Sequence, residues 1–544
     1  MPPTEDPHAP LLRWLSDKGA TFDGIRFGRS EHGGTGAFAA RAFKPGKCLA
    51  SIPRECVLTA KAARESPLGR AMRTLASKQQ SELCTDAVLL WVYMAVGRVD
   101  QSHPFHAYLA SLPAESPDPA CWSPALRREL DGTTLGPSVA AALAHLDDVF
   151  TKLVEPLRKR LGAEQLLPAA CLRAVDELRW ARGMCLSRAF PAMMAVEAGS
   201  EGKITLRHSE DGTQQSGRAR SSEREGCLLP LFDLLNHRAT QPIRWVAKAT
   251  GVAFYTDVAL AAGAEIYNNY GARPNEELLF SHGFCLPGNP HDGVLVSLVT
   301  APPVTAGAPA TRSRFYIRRA DHGGVPVELL RALSRVHQAH EAMGGQSDDA
   351  AASVAAAEWA EGAEQPHEAD VDPGDARMPE RMRNAMARRD KAERDAAREA
   401  ADEGGEEGGG EEGGEEGGEE EEDGCEDEEL VLGAEEVQLL MGTLHRKLES
   451  LQPRAAADQK LLRRHKKEAR ASQKKRKRGA ESEADDGDGV AEQSEAASRR
   501  LSIAAYREGQ REILAEALVF LEQLLGTGEE ESESEGQDES DGGG

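Results

Sequence analysis

Apolar positions form short clusters along the first 300 residues and longer helical patterns after that. Residues 86–96 are apolar at almost every position, which predicts a helix buried on most of its surface. Residues 48–53, after a Pro-Gly turn, predict a strand. A second strand is predicted at 251–258, and residues 266–270 are expected to pair back onto it. Further helices are predicted at 11–15, 139–154, 168–184, 325–343, 434–451 and 499–525, and a further strand at 313–319.

The length of 544 residues indicates two or three domains. A hydrophobic content of 40% and an aromatic content of 5% are low for a chain that folds throughout. Residues 344–427 are rich in Gly/Glu repeats, which cannot bury enough apolar surface to offset the entropy of ordering. We therefore predict that this segment is disordered, and the same for the mixed basic and acidic segment at 470–495.

Charge is concentrated in a few tracts. Residues 402–429 contain 17 acidic residues and no lysine or arginine, and residues 529–541 contain eight more acidic residues. The negative charges of these two tracts together equal the formal net charge of −25, so the rest of the chain is close to neutral. Two basic clusters, at 463–467 and 474–478, fit either nuclear import and nucleic-acid contact or a solvated charged linker. The sequence leaves both interpretations open.

Nine cysteines are scattered along the chain without a Cys-x-x-Cys pair or a Cys/His cluster, so we expect no metal site. No secretory signal peptide is recognisable, which makes a reducing compartment, nuclear or cytoplasmic, the expectation. No apolar run approaches the ~20 residues of a membrane-spanning helix, so we expect no membrane contact.

The most informative stretch is 228–284, where an apolar run ends in polar residues. Asp233, Asn236 and His237 follow leucines and a phenylalanine that favour burial. Buried polar groups need hydrogen-bond partners. These three side chains are therefore expected to form hydrogen bonds either with backbone groups or with a ligand.

Further polar and glycine-rich blocks accompany this stretch. A glycine cluster at 32–38 allows backbone to approach a ligand closely, although a plain hairpin turn fits the same pattern. The sequence Tyr-Asn-Asn-Tyr-Gly at 267–271 leads into a helix start at 274–277, where the helix dipole favours two glutamates. Residues 186–190, Leu-Ser-Arg-Ala-Phe, end the helical block between the glycine cluster and the Asn-His block.

The glycine cluster at 32–38, the Asn-His block at 236–237 and the Tyr-Gly block at 267–271 follow one another along the chain, and together they resemble a SET domain. The helical block between the first two resembles the insertion of the Rubisco large-subunit methyltransferase-like class. The resemblance implies an α+β fold with short curved antiparallel sheets and a pseudoknot of two C-terminal segments. It places the SET domain at 11–295, with the helical insertion at about 60–195. An all-α substrate-binding domain would follow at 296–343 plus 428–526, interrupted by the disordered segments, with an acidic tail at 527–544.

The resemblance also implies a cofactor, S-adenosyl-L-methionine, and a protein side chain as methyl acceptor. The glycines would bring backbone to the methionine end, the arginine would face its carboxylate, and the Asn-His pair would hold the adenosine beside a phenylalanine. The residues assigned to cofactor binding are Gly34, Thr35, Gly36, Arg188, Asn236, His237, Tyr270 and Phe284. The residues assigned as catalytic are Tyr270 and His282.

His282 is the main departure from the family pattern. Lysine-methylating relatives usually carry Tyr-Gly-Phe where this chain has His282-Gly283-Phe284. A histidine there could donate a hydrogen bond and could titrate near neutral pH. Phe190 is apolar where histidine-methylating relatives place a polar side chain, which favours lysine as the target.

We therefore expect a protein-lysine N-methyltransferase that acts as a monomer on a non-histone protein, without a nucleic-acid partner. Because a lysine amine has a reference pKa of ~10.4, the site would have to strip water from it and orient its lone pair. Two alternatives stay open: a protein-histidine methyltransferase of the same branch, and a catalytically weak SET-derived binding scaffold. The cofactor motifs, which a scaffold does not need together, argue against the scaffold.

Overall fold

The structure is a computed structural model that describes residues 8–30, 34–209, 212–217, 225–301, 311–342, 433–476 and 488–535. The chain divides into two units. The first consists of Met1–Asp292 and Arg454–Glu508, and the second of Gly293–Pro453 and Gly509–Gly544. All of 428–526 was predicted to belong to the C-terminal domain, whereas residues 454–508 belong to the first unit.

Small antiparallel sheets form the β part of the first unit. They have the strand orders β1-β2-β10, β3-β9-β8-β5-β6 and β4-β7. The strands are β1 Ile25–Arg29, β2 Thr35–Ala39, β3 Lys47–Pro53, β4 Ala189–Phe190, β5 Lys203–Ser209, β6 Gly212–Gly217, β7 Cys227–Leu228, β8 Ile243–Lys248, β9 Gly251–Thr256 and β10 Glu265–Ile266.

The partner of β10 differs from the sequence prediction. Residues 266–270 do not pair back onto β9; instead β10 pairs with β2, with Glu265 opposite Phe38. The turn before β10 carries the chain across, since Gly263 has a positive φ of 85° and its N–H donates to the Ala39 carbonyl at 2.7 Å. This crossover brings Glu265 beside the glycine cluster.

Helices make up most of the remaining first unit, and a π-helical stretch, Val149–Val154, joins two of them. Up to Asp292 they are α1 Ala9–Asp17, α2 Ala60–Glu65, α3 Pro67–Leu75, α4 Lys78–Ser81, α5 Asp86–Val99, α6 His106–Leu109, α7 Pro124–Arg127, α8 Leu135–Asp148, α9 Glu155–Ala163, α10 Val175–Arg188 and α11 Asn275–His282.

Helix α5 is the apolar centre of the helical insertion, as its sequence predicts. Thr85 caps its first turn by accepting the Val88 N–H at 3.3 Å. All residues from Val88 to Gly97 except Trp91 are buried, and α5 packs against α2 and α10. This packing sets the position of α10, whose last residue is Arg188.

Helix α10 begins later than the sequence pattern predicts. It starts at Val175 rather than at residue 168. The Glu177 carboxylate accepts the N–H groups of Leu172 and Arg173, both at 2.7 Å, and so satisfies backbone donors ahead of the helix. Leu172 also has a positive φ of 51°, which helical backbone does not adopt.

The remaining elements are strands β11 Gly293–Ala301 and β12 Thr311–Arg318 and helices α12 Val327–Ala342, α13 Ala434–Leu451, α14 Ala455–Arg476 and α15 Asp488–Glu535. β11 and β12 form an antiparallel pair in the second unit, so this unit is not entirely helical. Its apolar core contains Val294, Leu298, Leu329, Leu440, Leu514 and Leu521. None of the helices in the part of the chain that the structure describes is long and apolar enough to cross a membrane.

The predicted disordered segments fall largely outside the described ranges. Residues 344–427 lie wholly outside them. Of the segment 470–495, the first residues continue α14 to Arg476 and the last begin α15 at Asp488. The acidic tail begins within α15, which ends at Glu535.

A buried ion pair explains why residues 454–508 belong to the first unit. Nε of Arg507 donates to Oδ2 of Asp458 at 2.9 Å, and the two side chains are only 4% and 3% exposed. Arg507 also donates to the backbone oxygen of Glu129 in the helical insertion. Because a buried charge is costly without a partner, these bonds fix α14 and the first half of α15 against the insertion.

Replacement of Asp458 by alanine should lower the free energy of unfolding by about 3 kcal/mol, because it leaves the buried Arg507 without its counter-charge. Urea denaturation of the full chain measures this loss. The matched control is Glu468→Ala, which breaks the exposed pair with Arg464 on the same helix and should leave the midpoint unchanged. Equal effects of the two variants would contradict this role of the Arg507 pair.

Candidate active site

The end of α10 brings Arg188 onto the turn that carries Asp233. Nη1 of Arg188 donates to Oδ2 of Asp233 at 3.0 Å and to its backbone oxygen at 2.9 Å. The hydroxyl of Tyr108 donates to the same carboxylate oxygen at 2.9 Å. The Asp233 side chain is completely buried, which confirms that the polar end of the apolar run finds buried partners.

A strained residue precedes this turn. Leu231 has a φ of 82°, which is rare for a residue other than glycine. It leads into the 3₁₀ turn Phe232–Leu234, whose two apolar side chains are buried. The turn thereby directs Asp233 toward Arg188 while its neighbours remain in the core.

The Asn-His and Tyr-Gly blocks lie side by side. The N–H of Asn268 donates to the Asn236 carbonyl at 2.8 Å, and the N–H of Arg238 donates to the Asn268 carbonyl at 3.0 Å. The two segments run parallel at this point. Blocks that are about 30 residues apart in the sequence therefore form one site.

Tyr270 is held between two histidine rings. The ring centroids of Tyr270 and His237 are 4.9 Å apart, and those of Tyr270 and His282 are 4.7 Å apart, with stacked geometry in both pairs. The Tyr270 hydroxyl donates to the Leu235 carbonyl at 2.9 Å, and its N–H donates to Nδ1 of His237 at 3.1 Å. Its ring and hydroxyl are therefore fixed from several directions.

The glycine block lies next to Asn236. Nδ2 of Asn236 donates to the carbonyl of Thr35 at 3.2 Å and to Oε1 of Glu265 at 2.8 Å. Gly34 has a positive φ of 66° and open space where a Cβ would be, whereas a Cβ on Gly36 would come within 2.5 Å of Oε1 of Glu265. A side chain at residue 36 would therefore displace the Glu265 carboxylate, a close contact that the sequence could not distinguish from a hairpin turn.

The fold is similar to solved structures of the Rubisco large-subunit methyltransferase (LSMT). The SET domain of LSMT bound to lysine and AdoHcy aligns with a TM-score of 0.56 at 15% identity, covering 96% of this chain and 92% of that chain. Rubisco LSMT bound to AdoMet aligns with a TM-score of 0.55 at 15% identity, covering 96% of this chain and 93% of that chain. The chain therefore has the SET-domain fold. The predicted α+β SET fold is thereby confirmed.

Sequence relatives are SET-domain methyltransferases. Residues of this chain are 42% identical over 86 positions to the ribosomal lysine N-methyltransferase set10 of Schizosaccharomyces pombe, which is 15% of this chain and 16% of that protein. The actin-histidine N-methyltransferase of Canis lupus familiaris is 24% identical over 339 residues, which is 60% of this chain and 50% of that protein. The chain thus spans at most half the length of these two relatives. No protein-family model matches it.

In this SET domain the stacked rings are uncharged at neutral pH. Burial, with a further contribution from Arg273, lowers the pKa of His282 to about 3 and that of His237 to about 4. Burial raises the pKa of Tyr270 to about 12. The expectation that His282 titrates near neutral pH is therefore wrong, because a charged imidazole is disfavoured by both burial and the nearby guanidinium.

Arg188 keeps its positive charge. Burial alone would lower the pKa of Arg188, but Asp233 raises it overall. Burial and Asp233 together raise the pKa of Tyr108 well above its usual value, so this phenol stays protonated. Nε of Arg188 and Oδ1 of Asp233 are buried without a hydrogen-bond partner among the residues that the structure describes. The pair therefore retains polar atoms for a further group.

Phe284 completes the SET-domain cluster of rings. Its centroid is 6.3 Å from that of His237 and 6.0 Å from that of His282. Gly283 makes this possible, since it ends α11 with a φ of 74° and a Cβ there would lie 2.8 Å from the Pro117 carbonyl. Phe284 thus lies at the edge of the stack.

All residues that the sequence assigned to the site lie around these contacts, in two groups joined by residues 233–237. The first group is the Arg188 end with the ring cluster, and the second is the glycine block with Asn236. No group of histidine, cysteine, aspartate and glutamate side chains that could hold a metal ion occurs in the described ranges. Three residues of the site were not singled out from the sequence. Tyr108 and Glu265 reach it through tertiary contacts, whereas Arg273 lies three residues after Tyr270 and donates to its carbonyl.

His282 should make the protein less stable in acid. An unfolded histidine titrates near pH 6.5, whereas folded His282 binds a proton only near pH 3, so the unfolded state binds more protons between these values. Stability is then lost as the pH falls below 6.5, by about 2 kcal/mol at pH 5 from this one group. Replacement of His282 by phenylalanine should reduce the loss measured by urea unfolding at pH 7.5 and pH 5.

The control is Phe284→Leu, which perturbs the same ring cluster without removing a titrating group. Its loss of stability between the two pH values should equal that of the wild type. An unchanged loss in His282→Phe would contradict the assignment of a lowered pKa to His282.

Proposed function

We propose that the protein is an S-adenosylmethionine-dependent protein N-methyltransferase that modifies a lysine side chain of a non-histone protein. The observation that carries the proposal is the fixed, uncharged Tyr270, stacked between His237 and His282 and bonded through its hydroxyl to the Leu235 carbonyl. The charge of the buried Arg188 acts on Tyr270 and opposes the rise of its pKa that burial causes. The names of the sequence relatives support a protein substrate.

The residues present fit the proposed cofactor. The unpaired Nε of Arg188 offers a buried, positively charged donor for the carboxylate of the methionine part. Gly34 has open space where a Cβ would be, which allows close approach of a ligand beside Asn236. The solved structures with the same fold contain AdoMet or AdoHcy. S-adenosylmethionine, when bound, supplies an activated methyl group on a sulfonium, so the protein has mainly to align and desolvate the acceptor.

The charges around the ring cluster suit a neutral amine. The same burial and the same guanidinium of Arg273 that lower the pKa of His282 would lower the pKa of a lysine amine beside it. The Tyr270 hydroxyl uses its hydrogen to bond Leu235, so its oxygen is available to accept a hydrogen bond from an amine N–H. Both effects favour a lysine with a free, oriented lone pair.

Histidine methylation is the second candidate, because several relatives are actin-histidine N-methyltransferases. Phe190 weighs against it. This side chain is buried and packs edge-on against Trp245, with ring centroids 5.0 Å apart. It therefore contributes no polar atom to hold a substrate imidazole. An uncharged His282 could accept an imidazole N–H, which keeps the candidate testable.

Replacement of Tyr270 by phenylalanine should lower the rate of methyl transfer about 100-fold, because it removes an oriented polar group from the reacting centre. Calorimetry with S-adenosylhomocysteine should show an affinity within twofold of the wild type. The control is Tyr255→Phe, a tyrosine of the five-stranded sheet, which should change neither quantity. Wild-type rates in the Tyr270 variant would contradict the assigned role.

The choice between lysine and histidine can be made with cofactor that carries a labelled methyl group. Incubation of the protein with a cell lysate should label a protein band, and mass spectrometry of that band should find methyl-lysine. Methyl-histidine would instead establish the second candidate. Absence of any labelled band, while calorimetry shows cofactor binding, would favour the binding scaffold.

A further inference from the structure

The Glu265 carboxylate accepts hydrogen bonds from three uncharged side chains. Its Oε1 accepts Nδ2 of Asn236 at 2.8 Å. Its Oε2 accepts the hydroxyls of Ser30 at 3.0 Å and Tyr267 at 2.9 Å. None of the ion pairs in the described part of the chain includes Glu265. A negative charge is therefore held in place by neutral donors beside the glycine block.

These contacts fix the orientation of the Asn236 amide. The two partners of Nδ2 are the Glu265 carboxylate and the Thr35 carbonyl. A backbone carbonyl can only accept, and a carboxylate accepts, so the NH₂ group of Asn236 must face both of them. The amide oxygen, Oδ1, consequently points away from Glu265. Asn236 thus presents Oδ1 as a hydrogen-bond acceptor on the side of its amide that faces away from Glu265.

Glu265 also lies directly against the glycine block. A Cβ on Gly36 would come within 2.5 Å of its Oε1, and Glu265 pairs with β2 opposite Phe38. The carbonyl of Thr35, between the two glycines, is held by the same Asn236 amide that Glu265 orients. Glu265, Asn236 and the glycine block therefore form one connected unit.

We propose that Glu265 is a positioning residue for cofactor binding, which turns Oδ1 of Asn236 toward the positively charged amino group of the methionine part. Because Asn236 bonds the glycine block, which the resemblance places at the methionine end, this differs from the adenosine contact that the resemblance implies for Asn236. This inference rests on the proposed function. A hydrogen bond to a charged donor is about twice as strong as a neutral one. By accepting Nδ2, the Glu265 carboxylate polarises the Asn236 amide in the direction that strengthens its oxygen as an acceptor for a cation.

The variant Glu265→Gln tests the proposal, because it keeps the shape of the side chain but replaces one acceptor oxygen by a donor. Calorimetry with S-adenosylhomocysteine should show about tenfold weaker binding than the wild type. Competition with 5′-methylthioadenosine, which lacks the amino-acid end, should show an affinity within twofold of the wild type. The difference between the two ligands separates a positioning role from a general distortion of the site.

A double variant tests whether Glu265 acts through Asn236. If it does, Asn236→Ala combined with Glu265→Gln should bind S-adenosylhomocysteine as weakly as Asn236→Ala alone. The control is Glu55→Gln, an exposed glutamate paired with Lys18, which should bind like the wild type. Circular dichroism melting of each variant shows whether it is folded.

Either of two results would overturn the inference while leaving the proposed function intact. One is wild-type affinity of folded Glu265→Gln for S-adenosylhomocysteine. The other is an equal loss of affinity for both ligands. A wild-type protein that binds no S-adenosylhomocysteine would instead overturn the proposed function, and the inference with it.

Discussion

The buried pair of Arg188 and Asp233 is the constraint on which the site depends. Burial of two charges costs several kcal/mol per ion unless they are paired and hydrogen-bonded. Here the guanidinium donates to both the side chain and the backbone of Asp233, and Tyr108 donates to the same carboxylate. The pair joins the end of α10 to the turn at Phe232–Leu234. Any shift of α10 along its axis would leave a buried charge without a partner.

This junction determines the positions of the groups that follow. The chain leaves the turn toward Asn236 and His237, which lie parallel to the segment at Asn268. Tyr270 then stacks on His237 and donates to the carbonyl of Leu235, one residue after the turn. Charged and neutral groups occupy different places along this path. Arg188 keeps its positive charge, the stacked rings stay neutral, and the carboxylate of Glu265 lies by the glycine block.

Local patterns predicted individual elements of the structure, whereas the fold was predicted from the resemblance to the SET domain. The continuous apolar run predicted α5, and the apolar run ending in Asp233 predicted a polar group with buried partners. Predictions failed where a distant residue decides the outcome. Helix α10 begins at Val175 because Glu177 caps the preceding backbone, and β10 pairs with β2 because the turn at Gly263 carries the chain across.

The properties of the site were harder to predict than its residues. His282 was recognised as a departure, but its pKa depends on burial and on Arg273, neither of which the sequence around His282 reveals. The place of residues 454–508 in the first unit depends on the pair of Arg507 and Asp458. That pair joins two helices that flank a segment outside the described residues, so periodicity could not indicate it.

The most direct measurement is calorimetric titration of the full chain with S-adenosylhomocysteine, for the wild type and for Asn236→Ala. We expect one molecule bound per wild-type chain and at least tenfold weaker binding by the variant, because Asn236 links the glycine block to the rest of the site. A folded wild-type protein that binds no S-adenosylhomocysteine would contradict the account. Equal binding by both proteins would contradict the place of Asn236 in the site.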